Sequence, residues 1–190
     1  MRKEYTEKGV EGYYVDHGRS YRNPHFEAIV KVVSSLLDRW GDTVGLGCDG
    51  PWPVLDMACG SGEASLALCK WAHKRNLKLQ IDGTDPFTGE AYFERIGKEA
   101  LQFSFDDIAD GCFADRKFNL CICSFALHLL DVTKLYATCV QLAQVCKYLI
   151  IVTPHKRPTI LPNTGWNLLD EIIGERLRTR IYQSNFIGFE

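Results

Sequence analysis

The chain has 190 residues, of which 46% are hydrophobic and 24% charged, and its formal net charge is -2. These values predict one globular domain over residues 1–190 and exclude disorder as the default state. The weak net charge excludes a general attraction to nucleic acid or to acidic membranes. No apolar run approaches the ~20 residues of a membrane span. The polar N-terminus lacks a signal-peptide core, so we expect a cytoplasmic or nuclear protein.

Eight cysteines are spread along the chain, most of them in apolar, strand-like or helix-like surroundings. Without an export signal, such cysteines are typical of reduced, buried side chains rather than of disulfides. The sequence contains no Cys-x-x-Cys pair, and we therefore expect no metal site.

A polar, tyrosine-rich segment occupies residues 1–23. Asn23 and Pro24 then resemble a helix cap followed by proline at the first helical position, which predicts a first helix over residues 24–40. Apolar residues recur in this helix every three or four positions. The next segment, Gly41 to Pro53, is dense in Gly, Asp and Pro and predicts a loop.

Strand-like and helix-like segments alternate from there on. We predict strands at 53–58, 78–83, 101–105, 118–124 and 148–153, and helices at 62–75, 87–99 and 132–146, the last capped by Asp131. A helix near 166–175 and a strand near 178–186 complete the chain. This alternation predicts an α/β fold with a doubly wound, mostly parallel sheet of six or seven strands and helices on both faces.

The most informative stretch runs from Val54 to Ser65. An apolar strand ends in Asp56, a turn containing Gly60 and Gly62 follows, and a helix begins at once. Such a turn predicts a nucleotide-type site, because glycines let a ligand approach the backbone and a helix start presents free N–H groups. A carboxylate before the turn repels a pyrophosphate and suits a cationic or hydroxyl-bearing ligand.

Polar residues also follow the other predicted strands. They are Asp85, Asp106-Asp107-Ile108, Ser124 to His128 and Thr153-Pro154-His155. Ligands of doubly wound sheets bind beyond the carboxyl ends of the strands. We therefore expect these residues to converge on one crevice.

With these features the chain resembles the class I S-adenosylmethionine-dependent methyltransferases. The segment from Asp56 to Gly62 matches their first motif, commonly D-x-G-C-G-x-G, except that Ala58 replaces the first glycine. The resemblance covers roughly residues 24–186. It implies methyl transfer with S-adenosylmethionine as cofactor. Sheets of this family usually end in an antiparallel hairpin, for whose last strand little chain remains after residue 186.

The resemblance also implies roles for the residues of the first two strand ends. Asp56 would lie near the methionyl ammonium of the cofactor. Ala58, Gly60 and Gly62 would leave room for the cofactor, and Asp85 would accept hydrogen bonds from both ribose hydroxyls. By itself, Asp85 with the following proline would also fit an ordinary turn.

The adenine is expected to contact the residues after the second and third strands. Pro86 or Phe87 would pack on the ring, and the Ile108 N–H would donate to a ring nitrogen. Asp107 would accept from the amino group; we prefer it to Asp106 because acidic-then-aliphatic is the usual order in the family. The alternative is that Asp107 only caps a short helical stretch.

Ser124 and Phe125 are expected to hold the methionyl end of the cofactor. His128 is the candidate catalytic residue, although a packed turn with a buried histidine explains it equally well. A dedicated base is optional in methyl transfer, since positioning supplies most of the effect. Residues 1–23 are a candidate lid, and the residues expected to contact the substrate or form the lid are Tyr13, Tyr14, Tyr21, Arg22 and His155.

The segment Ser124-Phe125-Ala126-Leu127 departs from the [DNS]-P-P-[YFW] motif of enzymes that methylate amino groups of bases or glutamine. This departure favours a small-molecule acceptor over nucleic acid, with a protein or tRNA acceptor left open. We expect a monomer or a homodimer. Two alternatives are an inactive S-adenosylmethionine-binding sensor or partner subunit, and an NAD-dependent dehydrogenase on the weak match Gly60-x-Gly62-x-x-Ser65.

Overall fold

The structure is a computed structural model that describes residue 12, residues 14–44 and residues 51–186. The strands of this part are β1 (Trp52–Met57), β2 (Leu79–Thr84), β3 (Phe118–Ser124), β4 (Cys146–Thr153), β5 (Trp166–Gly174) and β6 (Leu177–Ser184). Its helices include α1 (Phe26–Trp40), α2 (Glu63–His73), α3 (Gly89–Ile96), α4 (Phe105–Ala109) and α5 (Val132–Val145). Short 3₁₀ turns occupy Gly18–Ser20, Leu127–Leu129 and Pro162–Thr164.

The strands form one six-stranded sheet in the order β2-β1-β3-β4-β6-β5. Strands β1 to β4 pair in parallel, whereas β6 pairs antiparallel with both β4 and β5. This mostly parallel arrangement confirms the predicted α/β fold. The direction of winding changes between β1 and β3, and in such sheets that position opens a crevice at the carboxyl edge.

Helices cover both faces of the sheet because side chains of a strand alternate between the faces. Leu120 and Ile122 of β3 belong to a core with α1 and α2. The alternate residues Cys121 and Cys123 belong to a second core with α4 and α5. Both β3 and β4 are buried almost throughout, as expected of central strands in a doubly covered sheet.

Most predicted elements form close to their expected positions. The strand 118–124 has the predicted bounds, and Asp131 caps α5 by accepting a hydrogen bond from the Lys134 N–H at 2.9 Å. The first helix begins at Phe26 rather than at Pro24. The Asn23 side chain accepts from the His25 N–H at 2.9 Å, so it orders the turn before the helix instead of capping the helix itself.

The predicted helix near 166–175 is wrong, because this segment is strand β5. Its apolar residues also fit a helical spacing, but pairing with β6 decides the outcome. Glu175 and Arg176 join the two strands with positive φ angles of 52° and 61°, which is the backbone of a tight hairpin turn. Strands β5 and β6 therefore form the antiparallel hairpin that is usual in the family, before residue 186 rather than after it.

The predicted strand at 101–105 does not form. Only Leu101 makes a bridge, to Thr84, and Ser104 already begins helix α4 as its N-cap. The sheet therefore has six strands within the described residues. In the same part of the chain, no helix is long and apolar enough to cross a membrane.

Candidate active site

A cavity of about 440 Å³ lies at the carboxyl edge of the sheet, beside the ends of β1, β2 and β3. Its volume falls in the range of roughly 300–1,000 Å³ that is usual for small-molecule sites. The predicted cofactor residues that line it are Ala58, Gly60, Asp85, Pro86, Ile108, Ser124 and Phe125. Asp56, Gly62 and Asp107 are not among the lining residues.

The glycine turn approaches the cavity with an unusual backbone. Ala58, Gly60 and Gly62 have φ angles of 52°, 56° and 84°. Ala58 therefore stands in a left-handed conformation that glycine adopts without strain, at the position where the family motif has glycine. At Gly60 a Cβ would lie 2.9 Å from Cε1 of Tyr21, so the turn also leaves no space for a side chain.

Gly62 does not line the cavity; it packs against the neighbouring helix α3. It is the N-cap of α2, and a Cβ there would lie 2.6 Å from both Cδ1 and Cγ1 of Ile96 in α3. Close packing of α2 against α3, and not ligand contact, therefore explains the second glycine.

The carboxylate of Asp85 is buried at the end of β2 and faces the cavity. It accepts hydrogen bonds from the N–H groups of Gly60 at 3.2 Å, Phe87 at 2.9 Å and Thr88 at 3.1 Å. Burial raises the pKa of Asp85, while these hydrogen bonds lower it. Asp85 thereby ties the glycine turn after β1 to the loop after β2.

Asp56 lies beneath the turn and is fully buried. Its Oδ2 accepts from the N–H of Ser65 at 2.9 Å and from the Ser65 hydroxyl at 2.6 Å, while its Oδ1 is buried without a hydrogen-bond partner in the described structure. Burial raises the pKa of Asp56 to about 7, against the lowering effect of the Ser65 hydrogen bonds. Oδ1 is a hydrogen-bond acceptor that remains to be satisfied.

The structure places Asp106, rather than Asp107, at the cavity. Asp107 occupies the third position of α4, and its Oδ2 accepts from the Ser104 N–H at 2.7 Å and from the Ser104 hydroxyl at 2.6 Å. The hydroxyl accepts in turn from the Asp107 N–H, which completes a capping box. These hydrogen bonds lower the pKa of Asp107. The carboxylate of Asp107 therefore caps helix α4, which was the alternative interpretation, and does not face the cavity as the predicted adenine contact would require.

The end of β3 forms the other side of the cavity. Phe125 follows Ser124 with a φ of 61°, so the backbone turns sharply as the chain leaves the sheet. The ring of His25 stacks on Phe125 with centroids 5.2 Å apart and an interplanar angle of 10°. The start of the first helix thereby contacts the end of β3.

His128 lies in the turn Leu127–Leu129, whose neighbours Ala126 and Leu129 line the cavity. Its ring is half-buried, and Nδ1 has no hydrogen-bond partner within the described residues. The ring of His155, from the loop after β4, stands 5.0 Å away at 66°. Burial, and secondarily His155, lower the pKa of His128 to about 4. The two histidines form a pair beside the cavity, although neither is a lining residue.

The N-terminal segment contributes Tyr14 and Tyr21 to the cavity wall. Tyr14 stacks on Phe87 with centroids 6.3 Å apart and contacts Tyr21 edge-on at 5.4 Å. Arg22 instead turns outward, donating to Glu94 at 3.2 Å and to the Tyr21 carbonyl at 2.6 Å, and is not a lining residue. The predicted contact of Tyr13 lies outside the described residues.

Sequence reasoning missed a buried ion pair that holds this segment. Glu63 Oε1 accepts from Arg95 Nη1 at 2.8 Å, from the Ser61 hydroxyl at 2.5 Å and from the Asn23 N–H at 2.9 Å. One carboxylate thus joins the glycine turn, α3 and the chain just after Tyr21. No local pattern pairs residues 32 positions apart, so only folding could reveal it.

Comparisons with known proteins agree with this geometry. Residues 54–148 match the family model described as a methyltransferase domain. An uncharacterized protein of Schizosaccharomyces pombe (strain 972 / ATCC 24843) is 35% identical, over 88% of this chain and 79% of its own.

Solved structures resemble the fold at low sequence identity. Magnesium protoporphyrin IX methyltransferase (ChlM) from Synechocystis PCC 6803, solved with bound S-adenosylhomocysteine, has a TM-score of 0.58 and 18% identity, covering 96% of this chain and 97% of its own. The N-methyltransferase NodS from Bradyrhizobium japonicum WM9, also in complex with S-adenosylhomocysteine, has a TM-score of 0.59 and 13% identity, covering 90% and 97%.

The fold and the family match together define the protein as a methyltransferase-domain protein. The chain belongs to the class I S-adenosylmethionine-dependent methyltransferases, and S-adenosylmethionine is its cofactor. This assignment replaces the alternative of an NAD-dependent dehydrogenase.

The residues of the cavity fit that cofactor. The buried Asp85 carboxylate faces the cavity as an acceptor for hydroxyl donors, and Gly60 lines the cavity where its backbone lies close to the ring of Tyr21. Asp56, whose Oδ1 is unsatisfied, lies beneath the turn and outside the cavity lining. This donor and acceptor set suits a cationic aminoacyl nucleoside better than a pyrophosphate.

Proposed function

We propose that the protein methylates a small-molecule acceptor, which binds where the end of β3 meets the histidine pair His128 and His155. The observation that supports this proposal is a single cavity reaching from Gly60 and Asp85 to Ser124 and Phe125. S-adenosylmethionine supplies the activated methyl group. The protein's part is to bind, to orient and to exclude water, which accounts for most catalysis of such displacements.

On this proposal, Asp85 binds the ribose hydroxyls, Asp106 lies near the adenine, and Ser124 and Phe125 hold the methionyl end. Asp56 lies beneath the glycine turn, near the methionyl ammonium. His128 contacts the acceptor, so it is the proposed catalytic residue.

The N-terminal segment is the proposed lid, with Tyr14 and Tyr21 covering the cavity. Their rigid rings supply contact area at low entropic cost. The Glu63 ion pair would hold the lid against the glycine turn, because its carboxylate accepts from the Asn23 N–H two residues after Tyr21.

A cavity wall rich in aromatic side chains supports a small acceptor over a nucleic acid. Two structural neighbours are named for a small substrate or for N-methylation, namely magnesium protoporphyrin IX methyltransferase and NodS. Another is a ribosomal protein L11 methylase, so the fold alone is compatible with a protein acceptor. A cytoplasmic location and a monomeric or homodimeric state stay predictions from the sequence.

The cofactor roles are tested by calorimetry with S-adenosylhomocysteine. We expect Asp85→Ala to weaken binding by about 100-fold, because hydrogen bonds to a charged group contribute ~1.5–3 kcal/mol and 1.4 kcal/mol is tenfold. The control is Asp82→Ala on the same strand, whose carboxylate pairs with Lys98 at 2.7 Å away from the cavity lining. Equal affinities of both variants would contradict the proposed site.

A further inference from the structure

One ion pair of the described structure has both of its partners in the cavity wall. Lys134 Nζ lies 2.8 Å from each of the two carboxylate oxygens of Asp106. Asp106 belongs to α4 and Lys134 to α5, so the pair joins two helices that cover the same face of the sheet. Among the described lining residues, Lys134 is the only one with a positive charge.

Both partners stand on helix starts that local hydrogen bonds hold in place. Asp106 lies in the first turn of α4, which the capping box of Ser104 and Asp107 closes. Lys134 lies in the first turn of α5, where its own N–H donates to the Asp131 carboxylate at 2.9 Å. The backbone positions of the pair are therefore fixed by the two caps, and the ion pair restricts the side-chain rotation that remains.

The wall next to the pair is apolar and suits a flat ring. Ile108 follows Asp106 on α4, Leu129 and Leu130 come just before the start of α5, and all three line the cavity. An aromatic base offers apolar faces to such a wall and polar groups only at its edge. An ionised carboxylate is an acceptor only, so at this edge Asp106 favours a group that donates a hydrogen.

Stabilisation of the fold does not explain the pair. The side chains of Lys134 and Asp106 are 50% and 62% exposed. Ion pairs this open to water contribute little to stability, because solvent screens the charges and two side chains must be ordered. The same ordering is useful for binding, since an exposed carboxylate that is already oriented loses less conformational freedom when a ligand arrives.

We propose that Lys134 is a positioning residue that holds the Asp106 carboxylate toward the cavity to accept from the amino group of the adenine, and that the pair makes the site selective for an aminopurine. This inference rests on the proposed function, which assigns Asp106 to the adenine. A carboxylate has about four lone-pair sites, so it accepts from the ammonium and from the amino group together. Lys134 acts on the base through Asp106, while its apolar stem forms part of the wall.

The test compares two ligands by calorimetry, namely S-adenosylhomocysteine and an analogue with hydrogen in place of the amino group of the base. The ratio of their dissociation constants measures the contact of that amino group. We expect the wild type to prefer S-adenosylhomocysteine about tenfold, because hydrogen bonds to charged groups are the stronger ones. In Lys134→Met, which keeps the stem and removes the ammonium, the preference should fall to about threefold or less. Lys134→Arg should restore most of it.

The matched control is Lys31→Met. Lys31 also pairs with an acid, Glu175 at 3.2 Å, but it is not a lining residue, so this variant should keep the wild-type ratio. In Asp106→Ala the preference should be absent, and adding Lys134→Met should not change it further, because Lys134 acts through Asp106. Partial unfolding weakens both ligands equally, so a purely structural role of Lys134 would leave the ratio unchanged.

An unchanged ratio in Lys134→Met, or an equal drop in Lys31→Met, would overturn the positioning role. Equal affinities of the wild type for the two ligands would overturn the contact with the amino group. Failure of S-adenosylhomocysteine itself to bind would instead overturn the proposed function, and the two kinds of failure are therefore distinguishable.

Discussion

The two ends of the cavity differ in how firmly hydrogen bonds hold the polar side chains beside it. At the cofactor end, the buried Asp85 accepts from three backbone N–H groups, and Glu63 from three donors. At the acceptor end, the Nδ1 of His128 is buried without a partner in the described structure. Asp56 Oδ1 beneath the glycine turn is also without a partner in that part of the chain, so the contrast is between Asp85, which hydrogen bonds fix before a ligand binds, and His128, which they do not.

The largest effect is expected for Gly62→Ala, which tests whether the glycine turn at the cofactor end is rigid. We expect the free energy of unfolding to fall by about 3 kcal/mol, because left-handed backbone costs an alanine ~1–2 kcal/mol and overpacking adds ~1–3 kcal/mol. Urea unfolding measures the change. The control is Gly89→Ala, where a Cβ would meet nothing within 4 Å. A loss no larger than that of the control would show that the turn is adaptable.

The second prediction concerns Asp56, whose pKa burial raises to about 7 from an ordinary value of 3.8. Between these values the folded protein holds a proton that the unfolded chain has lost, so stability falls as pH rises through this window. From pH 5 to pH 8 we expect the wild type to lose roughly 3 kcal/mol more than Asp56→Asn. Unfolding titrations in urea at each pH measure this difference.

Parallel pH profiles of the two proteins would mean that Asp56 is ionised in the fold. The cofactor end would then hold a buried charge with one oxygen unpaired among the described residues, and the contrast between the two ends would weaken.

The third prediction separates the neighbouring acids of α4. Asp106→Asn should weaken binding of S-adenosylhomocysteine about tenfold, because it removes a charged acceptor from the cavity wall. Asp107→Asn should leave the affinity unchanged and lower the melting temperature instead, because it disrupts the capping box with Ser104. Calorimetry and thermal unfolding of both variants measure the two effects. A reversed pattern would restore Asp107 as the adenine contact.

The smallest expected effect is at the acceptor end. His128→Phe replaces the imidazole, whose Nδ1 is buried without a partner among the described residues, by an aromatic ring of similar shape that has no nitrogen. We expect the free energy of unfolding at neutral pH to rise by about 1 kcal/mol, since an unsatisfied buried polar atom is removed. Urea unfolding of the ligand-free protein measures the change. A loss of stability would show that the histidine is satisfied in the fold and that the acceptor end does not differ from the cofactor end.

Local sequence determined the features whose causes lie within a few residues. The apolar run and the turn from Val54 to Ser65 specify a strand, a ligand-accessible backbone and a helix start. Asp131 caps α5 because the donor that its carboxylate accepts from, the Lys134 N–H, is only three residues away. The alternation of strands and helices was enough to predict the parallel part of the sheet and hence the edge that holds the cavity.

Tertiary structure decided what depends on distant partners. The segment Trp166–Gly174 has an apolar pattern compatible with either helix or strand, and pairing with β6 settled it. Asp106 rather than Asp107 lines the cavity because Ser104 takes up the second carboxylate. The Glu63–Arg95 ion pair and the histidine pair join residues that only the packed sheet and its covering helices bring together. Sequence thus predicted the sheet edge at which a nucleotide-like ligand is proposed to bind, and long-range packing decided which polar groups face the cavity there.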